Sequence, residues 1–231
     1  VDSLLDYVAS LGGFSFIAHP YWSRLISSDF SNLENCLGIE VYNTMADVLA
    51  AKGFSSVHWD DLLAQGKNFC GFAVDDAHWY PLESACGWIC VKVKERSTQG
   101  IVDAIKEGRF YSTMGPSIEH LSCSDGRFEA RFSPVGRVDV ISEGGLGFSI
   151  SFDSYQKWKG MKDDMVRVMA NENEKGVEQG RIELGTTKVY LSLKDRNITH
   201  LAMEGAQFKR YLRLEITDSS GKKAWSNALL L

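Results

Sequence analysis

The sequence predicts an α/β domain over residues 1–116, followed by a small antiparallel, β-sandwich-like domain over residues 117–231. Three observations carry this. Short apolar runs alternate with helical patterns up to about residue 116, which is how strands joined by crossover helices read. Gly115-Pro116 then marks a break in texture. Beyond it, strands alternate at close spacing with turn tetrads between them, as in an antiparallel sandwich.

The elements follow in order. Leu4, Leu5, Val8 and Leu11 form a helical stripe closed by Gly12-Gly13. Phe14 to Ala18 is an apolar run ending in His19-Pro20, and Gly38 to Tyr42 is a second, ending in Asn43. Helices are expected from Thr44 to Lys52 and from His58 to Gln65, with Gly66 as a stop. Phe69 to Val74 is a third strand, ending in Asp75-Asp76-Ala77-His78, and Trp88 to Val93 is a fourth. Ser97 reads as the N-cap of a helix through Lys106, stopped by Gly108. Strands separated by helices imply a parallel sheet, open or closed into a barrel.

In the second region, Ile118 to Cys123, Arg127 to Phe132, Val138 to Ser142, Thr187 to Leu193 and Arg210 to Thr217 read as strands. Ser124-Asp125-Gly126 and Asp218 to Gly221 supply turns. Tyr155, Trp158, Met161, Met165, Val168 and Met169 fit one helix face, and the polar stretch from Asn171 to Gly180 reads as a loop. Gly144 to Gly147 is read as a β-turn, since no helix follows to make it a phosphate cradle.

Composition excludes several function classes. Of 231 residues, 44% are hydrophobic and 24% charged, the proportions of a folded chain rather than a disordered one. The net charge of −5, with Lys and Arg scattered, argues against a nucleic-acid groove. No run approaches the ~20 apolar residues of a membrane span, and no signal-peptide pattern opens the chain. The five cysteines are odd in number and lack a disulfide framework, so reduced thiols and a cytoplasmic setting are expected. Cys86 and Cys90 read as packed thiols in a strand rather than as half of a zinc knuckle. The chain opens at Val1 with a helix that no strand precedes, so it reads as entering a domain part-way.

The chemistry concentrates at strand ends. His19, Asp76 and His78 each follow the carboxyl end of an expected buried strand, where α/β folds assemble their sites. Asp-x-His in extended chain sends a carboxylate and an imidazole to one side. Two imidazoles and one carboxylate suit Zn, Mn or Fe, whereas Ca demands more oxygens. Taken singly, His-Pro is ordinary loop chemistry and Asp76 an ordinary helix cap. Their joint placement at strand ends makes the three candidate metal ligands. Tyr21, Trp22, Arg24 and Asn43 are candidate substrate contacts, Arg24 because its fork matches phosphate or carboxylate oxygens. Glu40 and Asp75 are expected to support the ligands, Asp75 by orienting a histidine or by capping backbone. His58 is expected at a helix start, and His120 and His200 as ordinary residues of the β region.

Three segments carry a family resemblance: Phe16-Ile17-Ala18-His19-Pro20-Tyr21-Trp22, Gly38-Ile39-Glu40-Val41-Tyr42-Asn43 and Gly71-Phe72-Ala73-Val74-Asp75-Asp76-Ala77-His78. They resemble the later motifs of the PHP (polymerase and histidinol phosphatase) metallohydrolases, in the branch that includes carbaryl hydrolase. Phe110 to Pro116, Tyr211 to Asp218 and Ala224 to Asn227 are similar to the exit from the barrel and the end of the appended β domain in that branch. The resemblance implies a partial, distorted seven-stranded βα barrel and metal-binding roles for His19, Asp76 and His78. It implies up to three divalent ions in the complete family site, and hydrolysis of a small-molecule ester, commonly a phosphoester. Carboxylic and carbamate esters stay open. The family's opening His-x-His and the Glu and His ligands after it have no counterpart here and would lie before Val1. A degenerate module whose β domain binds a partner or glycan therefore stands as the other expectation.

Overall fold

In the computed structural model, which describes residues 1–79, 81–161 and 165–231, helix and strand alternate up to Thr113 and strand dominates thereafter. The first part runs α1 (Asp2–Ser10), β1 (Phe16–Ile17), α2 (Ser27–Phe30), β2 (Gly38–Asn43), α3 (Thr44–Ala50), α4 (Ser56–Ala64), β3 (Cys70–Val74), β4 (Trp88–Val91), α5 (Thr98–Lys106) and β5 (Phe110–Thr113). Then come β6 (Ile118–Ser124), β7 (Arg127–Val135), β8 (Arg137–Ser142), β9 (Gly147–Ser151), α6 (Phe152–Gly160), β10 (Val166–Glu172), β11 (Glu178–Leu184), β12 (Thr187–Lys194) and β13 (Asn197–Glu204). The chain closes with β14 (Tyr211–Thr217), β15 (Lys223–Ser226) and β16 (Leu229–Leu230). It divides into two units: Val1–Gly115 with Arg210–Arg213 and Trp225–Leu231, and Pro116–Lys209 with Leu214–Ala224.

The expected fold class is corrected here. Strand accounts for 41% of the described residues and helix for 21%, and among them the strands do not close into a βα barrel. Among the described residues, parallel pairing is found in one three-stranded sheet, in the order β1-β2-β3. The fourth expected strand, β4, pairs antiparallel with β5, Trp88 opposite Thr113 and Val91 opposite Phe110. Burial explains the difference. All six residues of β2 are buried, as a central parallel strand covered on both faces requires. No residue of β4 is buried, so β4 lacks the two-sided cover that a barrel gives its strands.

The first unit is organised around aromatic packing. Phe72 lies between Phe16 and Phe110, with ring centroids 4.4 and 4.9 Å away. Cys70, Ile105 and Phe110 complete that cluster. Trp59 of α4 is fully buried, donates its indole N–H to the Phe69 carbonyl at 2.7 Å, and lies over Gly71. A Cβ at Gly71 would meet its ring at 2.7 Å, so glycine is what lets helix and strand approach. α5 begins where expected, the Ser97 hydroxyl accepting from the Gly100 N–H. α1 forms, but of its apolar stripe only Leu5 is buried, while Leu4 and Leu11 are exposed.

The second unit is built on a six-stranded antiparallel sheet, ordered β10-β11-β12-β13-β7-β6, and β8 and β9 also pair antiparallel, Val138 opposite Ile150. Alternation drives it: Val189, Leu191 and Leu193 of β12 and Phe128, Ala130 and Phe132 of β7 are buried, while their neighbours in sequence are not. The single helix face expected across Tyr155 to Met169 is divided. Residues 152–160 are helical, 166–172 are strand, and residues 162–164 within the expected face lie outside the described residues. The polar stretch Asn171 to Gly180 is the turn and flanks of the β10–β11 hairpin, with Glu172 opposite Glu178. It is not a structureless loop. Among the described residues no helix is long and apolar enough to cross a membrane.

Candidate active site

The three parallel strands end at one edge of the first unit. β1 delivers His19, the central β2 delivers Glu40 and Asn43, and β3 delivers Asp75 and Asp76. A register shift between Glu40 and Tyr42 lets both Glu40 and Asn43 reach the same carboxyl edge. His19 and Asp76 occupy the flanking strand ends with positive φ, 30° and 50°. Non-glycine residues rarely adopt that region, at a cost of about 1–2 kcal/mol each, and such strain clusters at functional sites.

Hydrogen bonds hold the strained pair in place. Glu40 is buried, and its Oε2 accepts the His19 backbone N–H at 2.7 Å and the Asn43 Nδ2–H at 2.9 Å. Asn43 Nδ2 also donates to Asp76 Oδ2 at 3.1 Å, while its Oδ1 caps α3 by accepting from the Ala46 N–H. One amide thus ties the central strand to the Asp76 carboxylate. Burial pushes the Glu40 carboxyl above its usual range, opposed in part by the Asn43 and His19 bonds and the His19 charge.

Across this base, His19 Nε2 faces Asp76 Oδ2 at 4.0 Å, and His19 Nδ1 is within 2.8 Å of the Ser23 hydroxyl. His78 Nδ1 lies 3.9 Å from Asp76 Oδ1 and donates to the Asp76 backbone carbonyl at 2.6 Å. A carbonyl oxygen only accepts, so that bond places a proton on Nδ1, and in the neutral ring Nε2 is then the nitrogen with the lone pair. Asp75 acts on backbone rather than on a histidine. Its carboxylate accepts the N–H groups of Ala85, Cys86 and Gly87 at 2.6, 2.9 and 2.7 Å, and the Thr44 hydroxyl at 3.2 Å.

The remaining candidates differ in exposure. Tyr21 and Trp22 are exposed at the edge; Trp22 meets the His19 ring edge-on at 5.0 Å, and the Lys52 ammonium lies 5.6 Å over Tyr21. Arg24 is exposed in a left-handed turn, and no bond from its side chain to the candidate ligands is found among the described residues. Asn43, a candidate substrate contact, is 1% exposed and engaged with Glu40 and Asp76. Sequence reasoning missed Glu83 and Ser23, which hold the backbone of His78 and the ring of His19. The signal for Glu83 was available: an acid in Pro-Leu-Glu-Ser, closing a turn five residues after a ligand candidate.

For a divalent ion the His19–Asp76 pair is the better fit. Donors about 2.0–2.2 Å from one tetrahedral ion stand roughly 3.3–3.6 Å apart, close to the observed 4.0 Å. Among the described residues no three His, Cys, Asp or Glu side chains meet in a metal-holding group. His78 faces Asp76 at Oδ1, and His19 faces it at Oδ2.

No family model matches the chain, and neither a curated protein nor a solved structure does so.

Proposed function

We propose that this chain is part of a divalent-metal-dependent hydrolase, acting on a small-molecule phosphoester and related in its site motifs to the PHP metallohydrolases. One observation carries the reading: His19 Nε2 opposes Asp76 Oδ2 at 4.0 Å, each on a strained strand end and each anchored through Glu40 or Asn43. Strain held by buried hydrogen bonds is costly, and a site that must present ligands in fixed directions accounts for it.

When bound, a Zn, Mn or Fe ion supplies Lewis acidity and a water acidified toward neutral pH. The chain's own residues do the rest. His19 and Asp76 would hold the ion, and Asn43 fixes the carboxylate while capping α3. Glu40 sets the His19 backbone, and Ser23 keeps the His19 ring turned with Nε2 toward Asp76. Tyr21 and Trp22 offer exposed aromatic surface beside the pair to the organic part of an ester.

The test is metal content after equilibration with Zn, Mn and Fe, together with turnover of aryl phosphate and aryl carboxylate esters. Stoichiometric metal that is lost in His19→Ala and Asp76→Ala, with turnover of aryl phosphate, is expected. Neither metal nor turnover would remove the reading. The alternative is a non-catalytic module. It predicts wild-type folding with no turnover under any metal.

A further inference from the structure

Glu83 is 1% exposed, yet it is a carboxylate in the turn-rich segment that follows β3. Its Oε2 accepts two consecutive backbone N–H groups, from His78 at 2.6 Å and Trp79 at 2.8 Å. Its Oε1 is equally buried and accepts no bond from any described residue. Burying a carboxylate is an expensive way to stabilise a turn unless the backbone groups that it holds must stay where they are. Asp75 already ties down the far side of the same segment at Ala85, Cys86 and Gly87. What Glu83 adds is local: it fixes the peptide of His78 itself.

That peptide determines the ring. His78 Nδ1 donates to the carbonyl of Asp76, two residues back, a contact that closes only if the backbone between them is bent as it is. The side chain is 59% exposed, so side-chain packing alone does not confine it. We propose that Glu83 is the positioning residue of His78: by clamping the His78 and Trp79 N–H groups it holds the bend that locks the imidazole in its Nδ1–H tautomer, Nε2 open for a ligand. A ligand role for Nε2 would extend the metal-hydrolase reading above, which places the ion on His19 and Asp76; the positioning of the ring does not depend on it.

The experiment reads the tautomer directly, from long-range 1H–15N NMR of the full chain without added metal at pH 8, with His78→Gln to assign the signal. Wild type is expected to show Nδ1–H alone. Glu83→Gln keeps a carbonyl oxygen that can accept both N–H groups and is expected to retain that pattern. Glu83→Ala is expected to give an averaged, mixed-tautomer signal, and a wild-type pattern in this variant overturns the proposal. Should Glu83→Ala not fold, Glu83→Asp keeps the charge but falls one methylene short, and the same mixture is expected; an unchanged pattern overturns the proposal equally. Zn2+ titration of the same samples separates the two ideas. A roughly 10-fold weaker affinity in Glu83→Ala, restored in Glu83→Gln, supports both. A mixed tautomer with no Zn2+ binding by any variant, wild type included, supports the positioning of His78 and removes the metal reading.

Discussion

Arg213 grips Asp60 through two nitrogens, Nε to Oδ1 at 2.7 Å and Nη2 to Oδ2 at 2.6 Å, while its guanidinium lies 4.9 Å over the Trp59 ring. The Arg213 side chain is 1% exposed and that of Asp60 30%. The two partners are therefore not equivalent. Removing the carboxylate takes a two-point partner from a buried cation, whereas the carboxylate left alone would still reach water.

Asp60→Ala should accordingly lower the unfolding free energy by about 3–5 kcal/mol, the range for breaking one side of a buried pair. Asp60→Asn should cost less, because its Oδ1 can still accept the Nε–H bond. Urea denaturation of the three proteins checks the order. Equal stability of Asp60→Ala and wild type would show the pair to be incidental.

Asp75 gives a second prediction. Three backbone N–H groups converge on it at 2.6–2.9 Å from residues 85–87. Asp75→Ala orphans all three, at about 1–3 kcal/mol for each that stays buried. Hydrogen exchange should then quicken at Cys86 and Gly87 while β2 amides keep their protection. Unchanged exchange at 86–87 would mean that the loop is held by something else.

The strand ends that carry the candidate site were legible in the sequence for a physical reason. Phe16-Ile17 and Cys70–Val74 are unbroken apolar runs and Gly38–Tyr42 is interrupted only by Glu40; they stop abruptly at His19, Asp75 and Asn43. What periodicity does not carry is direction. β4 follows β3 with the same local texture as a parallel strand, and its antiparallel direction shows only in its pairing with β5. The β10–β11 hairpin was hidden differently. Its outer strand has no buried residue, so Met165, Val168 and Met169 fall at helical spacing by chance. Within the site, Asn43 and Asp75 were recognised as polar groups at strand ends. That they bond Asp76 and the 85–87 backbone depends on a register shift and a loop path that local sequence does not encode.

Gly71→Ala tests the close approach of α4 to β3. The new methyl would fall 2.7–2.9 Å from three carbons of the fully buried Trp59 ring, which also donates a hydrogen bond to Phe69. Neither the ring nor the strand can give way without losing contacts, so overpacking should cost about 1–3 kcal/mol. A red shift of Trp59 fluorescence should accompany it. A variant as stable as wild type would show that α4 can slide.

His200 provides a pH-dependent prediction in the second unit. Burial lowers its pKa below 6.5, only partly offset by its bond to Glu129 at 3.3 Å; Arg131 and Arg127 lower it further. The unfolded chain therefore binds a proton at His200 before the folded chain does. Unfolding free energy then rises with pH between the folded pKa and 6.5, so this stabilisation is fully present above pH 6.5 and fades as pH falls below it. Glu129 acts in a separate window. Desolvation opposes its ionisation, but His200 and Arg127 outweigh that and hold it below 4.5. Its contribution is therefore lost only in more acidic solution. Urea denaturation of wild type and His200→Gln from pH 7.5 to 5 should give a stability difference that narrows as pH drops below 6.5, or reverses sign in the substitution's favour. A difference independent of pH over that range would show that His200 has the same proton affinity folded and unfolded.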